Sequence, residues 1–220
     1  YRICINYHSD EKAAHSVLEQ VRALGAQAIA VRADVSSEDE VIALFHHVDA
    51  ELGRVTALVN NAGTVAHKSR VDEMSEYRIL NILKTNVLGP ILCAKHALLR
   101  MSPKHGGQGG SIVNVSSVAA RLGSPGEYVD YAASKGALDT FTIGLAKEVA
   151  GEGVRVNGVR PGYIFTDFHA LSGDAERVRK LEPGIPMGRG GQAAEVAEAI
   201  LWLLSDKASY TTGSFIDLGG

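Results

Sequence analysis

Five consecutive residues carry the most pointed chemistry in this chain: Tyr131, Ala132, Ala133, Ser134 and Lys135. Residues four apart on a helix share a face, so a helix here projects the Tyr131 phenol and the Lys135 ammonium together. A free phenol titrates near pH ~10. A fixed positive charge beside it stabilises the phenolate and pulls that value down. A tyrosine tuned in this way exchanges a proton with an alcohol or carbonyl oxygen near neutral pH. Taken alone, the pair also fits an amphipathic helix that happens to carry Tyr and Lys. Ser116 and Ser117 precede it, and the apolar residues Ala137, Leu138, Phe141, Ile143 and Leu145 follow.

Such a pair needs a scaffold, and the order of elements supplies one. A short apolar strand over residues 3–5 ends in the polar run from Asn6 to Asp10. Ala14, Val17, Leu18, Val21 and Leu24 then repeat at helical spacing, with Gly25 as the stop. A strand over 28–31 leads through Asp34, Val35 and Ser36 into a helix that closes at Gly53. Ser37 and Glu40 have capping-box spacing at its start. A third strand over 56–59 ends in Asn60-Asn61-Ala62-Gly63, and a long helix over 75–101 carries Asn86, with a kink or break expected at Pro90. A fourth strand over 112–115 ends at Ser116-Ser117, ahead of the helix of Tyr131 and Lys135. A fifth over 154–159 ends at Pro161-Gly162. Residues 163–191, rich in glycine and holding Pro183 and Pro186, read as a substrate flap with one short helix over 175–181. A helix over 194–204 and a strand over 215–218 close the chain.

Strands alternate with helices throughout, which predicts an α/β fold: a doubly wound parallel sheet, Rossmann-like, in three αβα layers. The near-continuous apolar strands fit burial on both faces. Ligands in such sheets bind beyond the carboxyl ends of the strands, where Asp34-Val35, Asn60 to Gly63, Ser116-Ser117 and Pro161 to Thr166 all fall. Turn chemistry explains each of these singly, but it does not predict the four together.

The chain has 220 residues and a net charge of −3, with 45% hydrophobic and 21% charged residues. That balance fits one globular domain and points to neither nucleic acid nor an anionic membrane as partner. The apolar runs fall short of a membrane span. Cys4 and Cys93 lie in apolar surroundings without ligand spacing, so they read as buried thiols in a reducing, cytoplasmic compartment, with no metal site expected.

In these motifs, their order and their spacing, the chain resembles the short-chain dehydrogenase/reductase family over essentially its whole length. The resemblance rests on Asp34-Val35, Asn60-Asn61-Ala62-Gly63, Thr85-Asn86-Val87, Ser117, Tyr131 with Lys135, Pro161-Gly162 with Thr166, and the stretch from Thr212-Gly213 to Gly220. It implies an NAD(P)-dependent enzyme acting on a small carbonyl or alcohol. Tyr131 would be the general acid or base, and Lys135 would lower its pKa and hold the nicotinamide ribose. Ser117, rather than Ser116, would bond the reacting oxygen. Asn86 would hold a water linking Lys135 to solvent. Asp34 and Val35 would flank the adenine, and Asn60, Ala62 and Gly63 would support the ribose and the central strands. Ile164 and Thr166, beyond Pro161-Gly162, would hold the nicotinamide carboxamide. A homotetramer built on the Asn86 and Tyr131 helices and the last strand is also implied.

One departure from the family pattern is large. The glycine-rich turn between the family's first strand and first helix would precede Tyr1, since residues 3–6 match its second strand. A sheet without the first strand would have two unpaired inner edges. The reading therefore expects roughly 20–30 further N-terminal residues, the size of one βα unit, and a single domain over 1–220 that lacks that unit. At the end of the family's second strand this chain reads Asn6-Tyr7-His8-Ser9. No carboxylate stands there to repel a 2′-phosphate, and His8 and Ser9 can bond one, which favours NADP(H) over NAD(H). Asp10 is the counter-argument if the register slips.

The substrate stays open. Val118, Leu122, Tyr163, Phe165 and Phe168 give a partly apolar pocket, with Tyr128 at its mouth. The chain resembles both 3-oxoacyl-carrier-protein reductases and glucose or other sugar dehydrogenases. A non-catalytic dinucleotide-binding protein on the same fold is a further reading.

Overall fold

The computed structural model describes residues 1–220, the side chain of residue 169 excepted. Its elements are β1 (Ile3–Tyr7), α1 (Glu11–Ala23), β2 (Ala28–Arg32), α2 (Glu38–Leu52), β3 (Ala57–Asn60), α3 (Glu76–Leu83), α4 (Gly89–Met101), β4 (Gly110–Val115), α5 (Ala119–Leu122), α6 (Val129–Val149), β5 (Val154–Pro161), β6 (Ile164–Phe165), α7 (Phe168–Leu171), α8 (Arg177–Leu181), β7 (Gly191–Gln192), α9 (Ala193–Leu204) and β8 (Phe215–Leu218). All strand pairings are parallel.

The main sheet has the order β3-β4-β5-β8, and β1 pairs with β2 as a separate ribbon. Between the ribbon and β3 lies a cleft of about 780 Å³, lined by Cys4 and Ile5 on one side and Ala57, Leu58 and Val59 on the other. The two inner edges, β1 and β3, do not pair with each other. Two unpaired edges are what the sequence reading anticipates.

Strand β4 shows why these sequences become buried strands. Ile112 packs with Leu145, Ala146 and Val149 of α6 and with Ala97 and Met101 of α4. The next residue, Val113, points the other way and packs with Val196 and Leu203 of α9. Both are fully buried, and each contributes about 1.5–3 kcal/mol by leaving water. Helices thus cover both faces, as the apolar runs require. Strand β5 passes so close to β8 that a Cβ at Gly158 would stand 2.5 Å from the Phe215 ring.

Local chemistry sets the helix ends. Asp10 caps α1, its Oδ1 accepting the Ala13 N–H at 2.9 Å. Ser37 caps α2, but the capping box is only half made: the Glu40 carboxylate accepts the Asp34 N–H at 2.8 Å instead of turning back to Ser37. The long helix expected around Asn86 is not broken at Pro90. It passes from α3 through a π turn, Lys84–Leu88, into α4, whose first turn holds Pro90. Pro90 has no N–H for the carbonyl four residues back, and the i→i+5 bond from the Gly89 N–H to the Lys84 carbonyl carries the chain through. The flap holds two short helices, α7 and α8, where one was expected, and a two-residue ribbon, β6 with β7, closes its base.

Candidate active site

The start of α6 is fixed by charge. Asp130 Oδ1 accepts the Tyr131 N–H at 2.9 Å, and Arg78 of α3 donates to Asp130 Oδ2 at 2.7 Å. One turn later Ser134 Oγ donates to the Tyr131 carbonyl at 2.6 Å and accepts from Asn86 Nδ2 at 3.0 Å. The Asn86 amide also clamps the loop after β3, accepting the Thr64 N–H at 2.8 Å and donating to the Thr64 carbonyl at 2.9 Å. The Asn86 side chain is thus taken up in joining the π turn, the β3 loop and α6.

Lys135 is buried, and its Nζ donates to the Val115 carbonyl at the end of β4 at 2.8 Å. It stands 5.7 Å from the centre of the Tyr131 ring. An ammonium has three donors; with one on Val115, two remain, the pair that two ribose hydroxyls would take. Gly63 lies alongside, where a Cβ would come within 3.6 Å of Lys135 Nζ and 3.5 Å of Asn86 Oδ1.

The two serines divide their work. Ser116 is buried and its Oγ donates to the Lys135 carbonyl at 3.3 Å, a brace for α6. Ser117 Oγ accepts the Ala119 N–H at 3.1 Å and lies in the same cavity as Tyr131.

Burial dominates the titration of the pair. It pushes the Tyr131 phenol up to about 12, and the nearby Ser117 hydroxyl opposes it only in part. It pulls Lys135 down to about 8, with Asp139 one turn on opposing. The sequence expectation was that Lys135 lowers Tyr131. In this structure desolvation of the phenol is the larger effect, and its pKa rises instead.

A cavity of about 590 Å³ joins these groups. Ser117, Tyr131 and Lys135 line it, as do Ala62, Gly63, Pro161, Gly162, Ile164 and Thr166. Val118, Leu122, Tyr128, Tyr163 and Phe168 also line it, the last with its ring centre 5.9 Å from that of Tyr131. Phe165 does not line it: its ring packs at Gly190 instead.

The remaining expected cofactor residues lie apart from this cavity. Asn60 is buried and donates to Asn114 Oδ1 at 2.8 Å and to the Pro90 carbonyl at 3.3 Å, tying β3 to β4 and α4. Val35 packs on α4, where a Cβ at Gly89 would stand 2.8 Å from it. Asp34 accepts from the Ser36 N–H and Oγ, each at 2.8 Å. Burial pushes the Asp34 carboxyl up, but those bonds outweigh it and hold the group below its usual value. His8 and Ser9 stand exposed past β1, with His8 Nε2 4.0 Å from Asp34. Arg32, at the end of β2, donates to the His8 carbonyl at 3.1 Å, a cation the sequence reading passed over. Asp10, which caps α1, lies beyond the strand end and is already engaged.

A half-buried phenol, a serine hydroxyl lining the same cavity and a buried ammonium, at the strand ends of a parallel sheet, suit transfer chemistry on a carbonyl oxygen. The donor set fits a dinucleotide, whose nicotinamide supplies the hydride. The chain belongs to the short-chain dehydrogenase/reductases and is an NAD(P)-dependent oxidoreductase. A family model described as "Enoyl-(Acyl carrier protein) reductase" matches residues 1–220. The chain is 54% identical over 220 residues to the uncharacterized oxidoreductase YgfF of Escherichia coli, covering all of this chain and 89% of that protein. It is 33% identical to the 3-oxoacyl-[acyl-carrier-protein] reductase FabG of Staphylococcus aureus, over all of this chain and 87% of that one. A glucose and ribitol dehydrogenase homolog of Oryza sativa is 36% identical over 96% of this chain and 73% of its own length. A short-chain dehydrogenase/reductase crystal structure from Mycobacterium marinum superposes with a TM-score of 0.92 at 31% identity, over all of this chain and 84% of that one.

Proposed function

We propose that the protein reduces a small carbonyl compound with NADP(H), or oxidises the matching secondary alcohol. The observation that carries this reading is the meeting of Ser117, Tyr131 and Lys135 in one cavity, on a helix pinned by Asp130 and Ser134. Tyr131 gives its proton to the carbonyl oxygen, and Ser117 bonds the same oxygen as charge develops. Lys135 stabilises the phenolate left behind and holds the cofactor's ribose hydroxyls. Asn86 keeps the loop of Gly63 in place beside Lys135.

Asn60, Ala62 and Gly63 support the cofactor from the β3 end, and Pro161, Gly162, Ile164 and Thr166 from the β5 end. Asp34 and Val35 take the adenine side. His8 and Ser9, with Arg32 beside them, favour a 2′-phosphate, and the engagement of Asp10 at the helix cap removes the nearest rival for a free ribose. NADP(H) is therefore preferred to NAD(H).

The test is a panel of ketones, 3-oxoacyl thioesters and sugars, followed at the nicotinamide absorbance with both cofactors. Reduction of ketones or thioesters with NADPH is expected. Activity on sugars alone would favour the sugar dehydrogenase reading, which the rice relative supports. Cofactor binding without any turnover would favour a non-catalytic role.

A homotetramer is part of this reading. Leu80, Leu83, Leu88, Ile91 and Leu99 of the α3–α4 unit and Ile143 of α6 are exposed, a patch that a second copy would cover. Sedimentation velocity at micromolar concentration tests it. No helix among the described residues is long and apolar enough to cross a membrane. The unpaired thiols Cys4 and Cys93 fit a cytoplasmic setting.

A further inference from the structure

The lining of the cavity also carries polar groups that reduction of a plain ketone does not use. Tyr128 is 5% exposed and lines the cavity, and its hydroxyl has no hydrogen-bond partner among the described residues. A buried hydroxyl without a partner is costly, so natural structures rarely keep one without a use. Arg177 of α8 also lines the cavity, with its guanidinium carbon 5.1 Å from the centre of the Tyr128 ring and 5.8 Å from that of Tyr163. Its side chain is 11% exposed.

Arg177 is held in place by Glu127, which accepts from Nη2 at 2.5 Å and from Nη1 at 3.3 Å. Lys68 reaches the same carboxylate at 2.8 Å. A guanidinium offers five donors; among the described residues two go to Glu127, so three remain. The charges do not cancel. Glu127 answers one of the two cations Lys68 and Arg177, and the neighbouring Asp174 is itself paired with Lys180 at 2.5 Å. A buried hydroxyl and the uncommitted donors of Arg177 thus face one cavity beside apolar Val118, Leu122 and Phe168.

We propose that Tyr128 and Arg177 form an anion-reading subsite, so that the preferred substrate is a carbonyl compound bearing a carboxylate or a similar oxyanion away from its reacting carbon. This rests on the oxidoreductase reading of the cavity. The apolar wall takes the connecting methylenes, Tyr128 Oη and the free Arg177 donors take the anion, and Tyr131 and Ser117 take the carbonyl. Tyr128 and Arg177 are specificity residues here, and the proton transfer stays with Tyr131.

Two measurements on the full chain decide it. In the first, methyl ketones with a terminal carboxylate, from 4-oxopentanoate to 7-oxooctanoate, are compared with their methyl esters by NADPH oxidation. Wild type should favour the best carboxylate by about ten- to a hundredfold in kcat/KM, the span of a charge-assisted hydrogen bond. Tyr128→Phe and Arg177→Gln should each move that ratio toward one, mainly through KM. A ratio near one in wild type, or one that neither variant moves, overturns the subsite. A merely structural role would lower both rates and leave the ratio alone. In the second, hexanoate and hexanamide are titrated by calorimetry. Hexanoate should bind more tightly, and both variants should remove the difference; equal binding of the two probes counts against the subsite. Hexanoate binding without turnover of any ketone would refute the oxidoreductase reading and keep the subsite. Ketone turnover without a carboxylate preference would do the reverse.

Discussion

The wall that carries Tyr131 and the wall that faces it are built on different physics. The catalytic wall is β4, α6 and the π turn, and its polar groups are buried and bonded to one another: Asn86 to Ser134, Ser134 to Tyr131, Lys135 to Val115, Asn60 to Asn114, Asn114 to Thr142. The flap wall hangs on ion pairs near the surface, Arg177 with Glu127, Lys68 with Glu127, and Lys180 with Asp174. Buried networks fix positions closely and are expensive to disturb. Partly exposed ion pairs are worth little each and can be exchanged cheaply. On the proposed reading, the chemistry sits on the first kind of wall and the choice of substrate on the second.

The comparison breaks most sharply at Lys135. Lys135→Met removes the buried cation, and kcat/KM for ketone reduction should fall by about 10²–10⁴-fold, the range of acid–base catalysis. In wild type the same rate constant should decline as the pH rises through about 8, where Lys135 loses its proton. Asp139 raises the Lys135 pKa, so Asp139→Asn should move that limb to lower pH, which a kcat/KM profile reads directly. Ser117→Ala should cost about 10²–10³-fold in kcat, the range for one donor at a developing oxyanion.

Stability effects are smaller. Asn114→Ala takes one buried partner each from the Asn60 amide and the Thr142 hydroxyl and should cost about 1–3 kcal/mol in urea unfolding. On the flap wall, Glu127→Gln should cost no more than about 1 kcal/mol, since its carboxylate is a third exposed and screened. The bonds from Arg177 and Lys68 outweigh burial and hold Glu127 down to about 2. A lowered carboxylate stabilises the fold above its unfolded value of about 4.5, and that contribution fades as the pH falls toward 2. The acid limb of wild-type stability should therefore flatten in Glu127→Gln. Equal losses at Asn114 and Glu127 would erase the distinction between the two walls.

The same contrast explains what the sequence made legible. Tyr131, Lys135 and Ser117 are near neighbours in sequence, and helix spacing and strand ends place them without long-range knowledge. The apolar runs of β3, β4 and β5 announce a buried parallel sheet for the same reason. The braces were not legible: Ser134 hides inside the Tyr-Lys motif, and Asn114 sits in an otherwise apolar strand, a signal in itself that was passed over. Pro90 marked a disturbance in the helix, but sequence could not choose between a break and a π turn, because the choice depends on which carbonyl the Gly89 N–H reaches. Glu40 had the spacing of a capping box, yet the Asp34 N–H lay closer to hand. The flap was least legible. Helices as short as α7 and α8 show no periodicity, and Arg177 acquires its place only through Glu127, fifty positions away.

The central claim is that Tyr131 is the proton donor. Its most direct test is ketone-dependent NADPH oxidation by Tyr131→Phe, measured together with NADPH binding by fluorescence. The account predicts a loss of at least about a hundredfold in kcat with cofactor affinity kept. Turnover equal to wild type would contradict it.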